Sequence, residues 1–272
     1  MEHSICVTCG TQYLESEMPP AHCPICEDDR QYIGFDGQRW TTLAALQQDH
    51  RNTFTELAPG ITTIRTAPEF AIAQQAQLIQ TPAGNVLWDC VSLVDDASVS
   101  EVQRRGGLAA IAISHPHFYS SMVEWSWAFG GVPILLHGSN RPWVMRGDDT
   151  IHYWEGETHQ VLPGVTLIRC GGHFPGSTVL HWTAEGQGAL FTGDTIMVVP
   201  DRRYVSFMYS FPNLIPLDEA SVRGIVAAVE PFDYARIYGS WPGRVVQREG
   251  RQAVRASAER YIAHLRGEMN RL

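Results

Sequence analysis

Two histidines one residue apart, His115 and His117, stand at the abrupt end of an apolar run in residues 110–121 (AIAISHPHFYSS). Residues 108–113 read as a buried strand, being short, apolar and preceded by the breaker pair Gly106-Gly107. Ser114 and Pro116 stop that strand, and an i, i+2 pair at a strand's end turns both imidazoles to one side. Two neutral imidazoles held so close suit a divalent metal ion. A second β-type run, residues 166–173 (TLIRCGGH), ends in paired glycines and presents His173. A third, residues 188–194 (GALFTGD), ends in the carboxylate of Asp194. Three strands thus deliver His115 and His117, His173, and Asp194 at their ends, which is how a rigid sheet builds a site.

A separate chemistry lies in four of the six cysteines. Cys6 and Cys9 form one C-x-x-C pair, Cys23 and Cys26 another. Four thiolates at this spacing suit tetrahedral Zn²⁺, and so short a segment needs such a staple to fold. Ligand type by itself does not separate zinc from iron. Residues 1–38 therefore read as a module of their own, with residues 39–272 as the main domain. The module resembles a zinc ribbon, and its Cys-Pro-Ile-Cys half is similar to rubredoxin, which holds iron in the same ligand set. Its charges oppose a nucleic-acid role: Glu2, Glu15, Glu17, Glu27, Asp28, Asp29 and Asp36 face only Arg30. It reads as a structural or protein-docking module.

The elements that must position these residues follow from periodicity and breakers. A helix is expected within residues 38–52, with Thr41 or Thr42 as its N-cap and Leu43, Ala44 and Leu46 on its apolar side. Segments 61–65, 71–80 and 85–90 have β character and are separated by turns, an antiparallel start to a sheet. Helices are expected at 98–105, 121–129, 217–229 and 251–265, and short strands at 132–136 and 235–238.

Composition bounds the rest. The 272 residues are 44% hydrophobic and 18% charged, the profile of a folded globular chain. No apolar run is long enough to cross a membrane, and the first residues lack the basic and apolar regions of a signal peptide, so a cytoplasmic location is expected. In that compartment cysteines serve metals more often than disulfides. A formal net charge of −9 argues against a nucleic-acid partner. All twenty basic residues are arginine, which excludes Schiff-base lysines and Walker-type phosphate loops.

His-Pro-His, Gly-Gly-His-Phe-Pro-Gly-Ser-Thr and Phe-Thr-Gly-Asp-Thr, in that order, resemble the motifs of the metallo-β-lactamase-fold hydrolases over about residues 55 to 250. The resemblance implies an α+β fold, an αββα sandwich of two facing sheets with helices outside, here preceded by the small zinc ribbon. Carried over by position, His115, His117, His173 and Asp194 form the family's first metal site. The family's usual H-x-H-x-D-H motif is broken here, because Tyr119 and Ser120 stand where it has Asp and His. Its last histidine falls in Tyr238-Gly239-Ser240-Trp241, which has none. The resemblance therefore implies one ion, zinc or iron, rather than two.

The activity implied is metal-dependent hydrolysis of an ester, thioester or lactone of a small molecule, with Asp194 as base and Tyr119 as donor to a developing oxyanion or leaving group. Two other readings fit. Two histidines and one carboxylate suit non-haem iron and dioxygen; persulfide dioxygenases carry such an iron on this fold, though they generally retain the Asp-His half missing here. The third is a degenerate, non-catalytic domain whose histidines hold only a structural metal.

Further residues have milder readings. His137 reads as a satisfied loop histidine after the 132–136 strand, and His152, His159 and His181 as sheet residues. Cys90 and Cys170 read as small buried strand residues. The aromatic residues of 204–211 (YVSFMYSF) could wall an apolar pocket, and Arg202 or Arg203 either meets an anion or lies in a solvated loop.

Overall fold

The computed structural model describes residues 2–184 and 186–268. The chain divides into two compact units, Met1–Trp154 and Glu155–Leu272.

In the first unit, β1 (Glu2–Cys6), β2 (Gln12–Ser16), a single helical turn α1 (Pro24–Glu27) and β3 (Trp40–Thr42) surround the cysteines. The small sheet runs β2-β1-β3, so it closes with a strand beyond residue 38. Then come α2 (Leu43–Asp49), β4 (Arg51–Ala58), β5 (Ile61–Ala67), β6 (Ala76–Thr81), β7 (Gly84–Trp88), α3 (Asp96–Arg104), β8 (Ala110–Ala112), α4 (Met122–Ala128), β9 (Ile134–His137) and β10 (Ile151–Trp154). Caps fix the helix starts. The Thr42 hydroxyl accepts from the Ala45 amide, and the Asp95 carboxylate accepts from the Ser98 amide at 2.7 Å.

Seven strands form the large sheet of this unit in the order β10-β9-β8-β7-β6-β5-β4. From β7 to β10 neighbouring strands are parallel, and β4 to β7 pair antiparallel. The three inner parallel strands are apolar and buried (Val86–Trp88, Ala110–Ala112, Ile134–Leu136), as parallel strands require, while the edge strand β10 is partly exposed. Asp89 follows β7, Ser114 to His117 follow β8, and His137 ends β9. The carboxyl ends of these parallel strands are where such sheets carry their chemistry.

Two segments differ from the sequence expectation. Residues 71–80 are not one strand: Ala71 and Ala73 take left-handed backbones with φ near +54° and +58°, and pairing begins only at Ala76. The eight-residue strand β4 has no counterpart in the sequence reading. Most of its residues are exposed, so it lacks the apolar stripe that marks a buried strand.

The second unit holds β11 (Thr158–Leu162), β12 (Val165–Arg169), β13 (Thr178–Trp182), β14 (Ala189–Phe191), β15 (Met197–Val198), β16 (Val205–Ser206), β17 (Met208–Ser210), β18 (Ile215–Pro216), α5 (Glu219–Val229), β19 (Arg236–Tyr238), β20 (Val245–Val246) and α6 (Gly250–Leu265). Its six-stranded sheet runs β11-β12-β13-β14-β19-β20, with only β14 and β19 parallel. Val222, Ile225 and Val229 of α5 and Val254, Ala258 and Ile262 of α6 bury against Ile168, Val179, Leu190 and Ile237 of the sheet. This core holds the loops after β12 and β14, where His173 and Asp194 sit. Close packing is severe at Gly188, where a Cβ would lie 1.9 Å from the Asp233 carbonyl oxygen. Among the described residues, no helix is long and apolar enough to cross a membrane.

Candidate metal centre

The cysteine cluster is built by two knuckles. Gly10, with φ of +81°, lets the chain reverse after Cys9, so that its amide bonds the Cys6 carbonyl and the Cys6 amide bonds the Thr11 carbonyl. The second knuckle closes as the Cys26 and Glu27 amides both donate to the Cys23 carbonyl. All four thiols are buried and their sulfurs lie within 4.8 Å of one another. Cys6 and Cys26 Sγ are 3.6 Å apart, Cys9 and Cys23 Sγ 3.7 Å, so these are not disulfides. Four sulfurs bound tetrahedrally at 2.3 Å stand about 3.8 Å from one another, so the donor set fits one ion.

Two further side chains support the sulfurs. The Tyr13 hydroxyl donates to Cys23 Sγ at 3.1 Å and the Gln38 amide to Cys6 Sγ at 3.2 Å, hydrogen bonds that favour thiolate. Crowding divides the cluster: hydrogen bonds from neighbouring thiols hold Cys6 and Cys23 below the ordinary thiol range, while Cys9 and Cys26, which keep their protons to make those bonds, are held above it. A cation at the centre removes that conflict by binding all four as thiolates.

The histidine turn belongs to the same unit. Pro116–Phe118 is a single 3-10 turn, with the Phe118 amide on the His115 carbonyl at 3.1 Å. It sets the buried rings of His115 and His117 edge to face, their centroids 5.0 Å apart. A chain of hydrogen bonds orients the first ring. His115 Nδ1 meets Ser114 Oγ at 2.8 Å, and that hydroxyl donates to Asp89 Oδ1 at 2.8 Å. Asp89 also accepts from the Ser114 amide at 2.8 Å. With Nδ1 bearing the proton, Nε2 presents its lone pair, the arrangement of a metal-binding histidine with a carboxylate behind it. The sequence reading gives Ser114 only as a strand stop and does not single out Asp89. The available signal was an aspartate ending the strand next to the histidine strand.

In the second unit the residues after β12 and β14 meet. His173 Nε2 lies 3.6 Å from Asp194 Oδ2, both side chains buried. Two ligand atoms at 2.0 to 2.2 Å from one tetrahedral ion stand about 3.3 to 3.6 Å apart, so this pair fits a shared ion. The Met208 carbonyl, 3.2 Å away, accepts a hydrogen bond from His173 Nδ1–H, the tautomer in which Nε2 can ligate a metal. Phe174 and Phe211 pack on the ring at 5.2 and 6.0 Å, so part of the 204–211 aromatic stretch does wall this histidine. His115, His117, His173 and Asp194 are all buried and all of metal-ligating type.

Tyr119 and Ser120 are engaged elsewhere. The buried Tyr119 hydroxyl donates to the Asn140 carbonyl at 3.4 Å, and burial pushes its pKa up. Ser120 Oγ donates to the Cys90 carbonyl at 3.2 Å and accepts from Gln74. His137 caps the 3-10 turn after β9, its Nδ1 accepting from the Ser139 amide at 3.2 Å. Burial pushes the Cys170 thiol up to about 12, which leaves it inert. Arg203 is paired bidentately with Asp201 at the surface.

The sequence is 46% identical over 273 residues to the Bacillus subtilis (strain 168) protein described as "Uncharacterized protein YmaE", covering 99% of each chain. The chain belongs to the YmaE family. No family model matches the sequence. The fold of this YmaE-family protein is the metallo-β-lactamase fold, as the solved structures it matches show. VMB-1 superposes with a TM-score of 0.60 over 79% of this chain and 98% of its own, at 9% identity. The DIM-1 metallo-β-lactamase exposed to ceftazidime superposes with a TM-score of 0.56 over 77% and 97%, at 10% identity. A B3 metallo-β-lactamase with an active-site glutamic acid does so with 0.51 over 82% and 92%, at 17% identity.

Proposed function

We propose that the protein is a metal-dependent hydrolase in which His115, His117, His173 and Asp194 hold one divalent ion, and that its substrate is a small-molecule ester, thioester or lactone. The observation that carries this reading is the buried His173–Asp194 pair at 3.6 Å, with a carbonyl behind the histidine. When bound, such an ion lowers the pKa of a water molecule and polarises a carbonyl. On this reading a carboxylate oxygen of Asp194 accepts the proton of the attacking water. Tyr119 holds its proton and has only a long bond to Asn140 to give up, so it serves as donor to the leaving group. Ser114 and Asp89 keep His115 in one tautomer throughout.

A single ion is supported by Ser120, whose hydroxyl donates to the Cys90 carbonyl and accepts from Gln74, and by Tyr119, whose burial disfavours the phenolate that a second metal would need. Zinc suits both ligand sets: four thiolates at one site, imidazoles and a carboxylate at the other. The net charge of −9 supports a small-molecule partner over nucleic acid.

The test is metal content per chain, with a panel of ester, thioester and lactone substrates, for the parent and for His173→Ala and Asp194→Asn. Two zinc ions per chain, one lost in His173→Ala together with turnover, support the reading. Iron lost in that variant instead favours dioxygen chemistry, and retention of all metal in it refutes the site.

A further inference from the structure

We propose that the cysteine module is the brace of the histidine turn, so that a metal ion on Cys6, Cys9, Cys23 and Cys26 strengthens metal binding by His115 and His117. The proposal rests on the reading that these histidines bind a metal, and it adds a regulation of that site.

The connection is short and continuous within the first unit. Gly10 directly follows the ligand Cys9, and its carbonyl accepts from Ser92 Oγ at 2.8 Å. There is no spare room at this seam, because a Cβ on Gly10 would lie 2.5 Å from Ser92 Oγ and 3.0 Å from the Ala71 Cβ. Two residues on, the Gln12 amide donates to the Ser120 carbonyl at 3.1 Å. Ser120 is three residues past His117, in a left-handed backbone with φ of +45° that a serine adopts only when its surroundings impose it. Gln74 and the Cys90 carbonyl grip its hydroxyl from the other side.

A second tie runs beside the first. Arg146 is almost wholly buried and donates both to the Gln12 side chain and to Glu124 Oε1, the latter at 2.6 Å. Gln12 reaches the same Glu124 oxygen at 3.3 Å. Glu124 lies on α4, the helix entered from the histidine turn. Trp143 and Met145 pack on the cysteine cluster itself, and the Leu14 amide bonds the Met145 carbonyl at 3.3 Å.

The knuckle, the turn and the helix after it therefore share one set of hydrogen bonds. Those bonds need residues 10–12 to hold a fixed path, and the path is set by closure of the sulfur cluster. An ion at the cysteines selects the arrangement in which the turn is already formed, and by linkage the coupling is reciprocal. Gln12 and Arg146 are positioning residues in this scheme, since neither offers a ligand to an ion.

The experiment measures zinc affinity at the histidines by chelator competition in the parent, Cys6→Ser/Cys9→Ser, Gln12→Ala and Arg146→Met, with hydrogen exchange of residues 114–122 alongside. Affinity is expected to fall about 5- to 150-fold in each variant. The same amides should exchange faster in each, while the cysteine zinc stays bound in Gln12→Ala and Arg146→Met. Unchanged affinity and unchanged exchange in the two bridge variants overturn the proposal, whether or not the cysteine double variant folds. If the parent histidines bind no zinc, the hydrolase reading fails instead. The brace is then decided by exchange alone: faster exchange of residues 114–122 on removal of the cysteine zinc supports it, and no change overturns it.

Discussion

Ser114→Ala is the most direct probe of how the first unit prepares its imidazoles. Ser114 Oγ joins two partners, accepting at 2.8 Å from His115 Nδ1 and donating at 2.8 Å to the buried carboxylate of Asp89. Alanine deletes both hydrogen bonds, while the bond from the Ser114 amide to Asp89 stays in place. A bond to a buried carboxylate contributes about 1.5 to 3 kcal/mol and one between neutral groups about 0.5 to 1.5, so the loss is about 2 to 4 kcal/mol. That lowers the urea midpoint by about 1 M or more. The ring also loses the partner that fixes its tautomer, which should weaken zinc binding at the histidines by about 10- to 100-fold. Ser114→Thr keeps the hydroxyl and should recover most of both effects. Chelator competition gives the affinity and urea titration the stability. The orientation argument is refuted if Ser114→Ala binds zinc within about twofold of the parent.

Other outcomes follow from single features. Gly188→Ala brings a Cβ onto the Asp233 carbonyl at a backbone angle of φ +41°, so the variant should fail to yield folded protein, as read by circular dichroism and size exclusion. Burial holds the His181 imidazolium below its ordinary pKa of 6.5, against a 2.8 Å contact with the Asp233 carbonyl. The unfolded chain therefore takes the proton first: stability is full above about pH 6.5 and declines as pH falls through the window below it. His181→Gln should flatten that slope in urea midpoints measured across the window. Removing the Thr42 hydroxyl by Thr42→Ala should lower stability by about 1 kcal/mol through loss of the α2 cap. Cys23→Ser should leave three of four sulfurs and lower the thermal midpoint of the zinc-loaded protein well beyond the Thr42→Ala effect.

Much of the candidate metal-ligating set was legible because its residues sit where strands stop. His115, His117, His173 and Asp194 each follow a short apolar run, and chain order alone brings out the spacing of the motifs. Both C-x-x-C pairs were legible for the same reason, as local geometry forces neighbouring thiols together. The helix capped by Thr42 was also open to reading, since its cap and apolar residues are close in sequence. β4 was not, for its pairing with β5 is mostly backbone and its side chains face water. Residues 71–75 were misread because two alanines in left-handed backbones carry no compositional mark. The Asp89–Ser114 link left only the weak mark of an aspartate after the neighbouring strand, and the Gln12–Arg146 bridge spans 134 positions and left none.

The bridge from Gln12 to Arg146 also sets a timetable for biosynthesis. The two residues are 134 positions apart, which at ribosomal speed is about 7 to 27 seconds of elongation. Tyr13 and Ile25 emerge among the cysteines, whereas Trp143 and Met145, which also pack on the cluster, follow more than a hundred residues later. The nascent knuckles can thus capture their ion early and then wait, with the apolar side of the cluster open to the surroundings. On the proposed brace, docking of the histidine turn waits on closure of a loop of 134 positions, whose entropy cost places it late. A chain made without an ion at its cysteines would, on the same proposal, complete the histidine turn with residues 10–12 still unplaced.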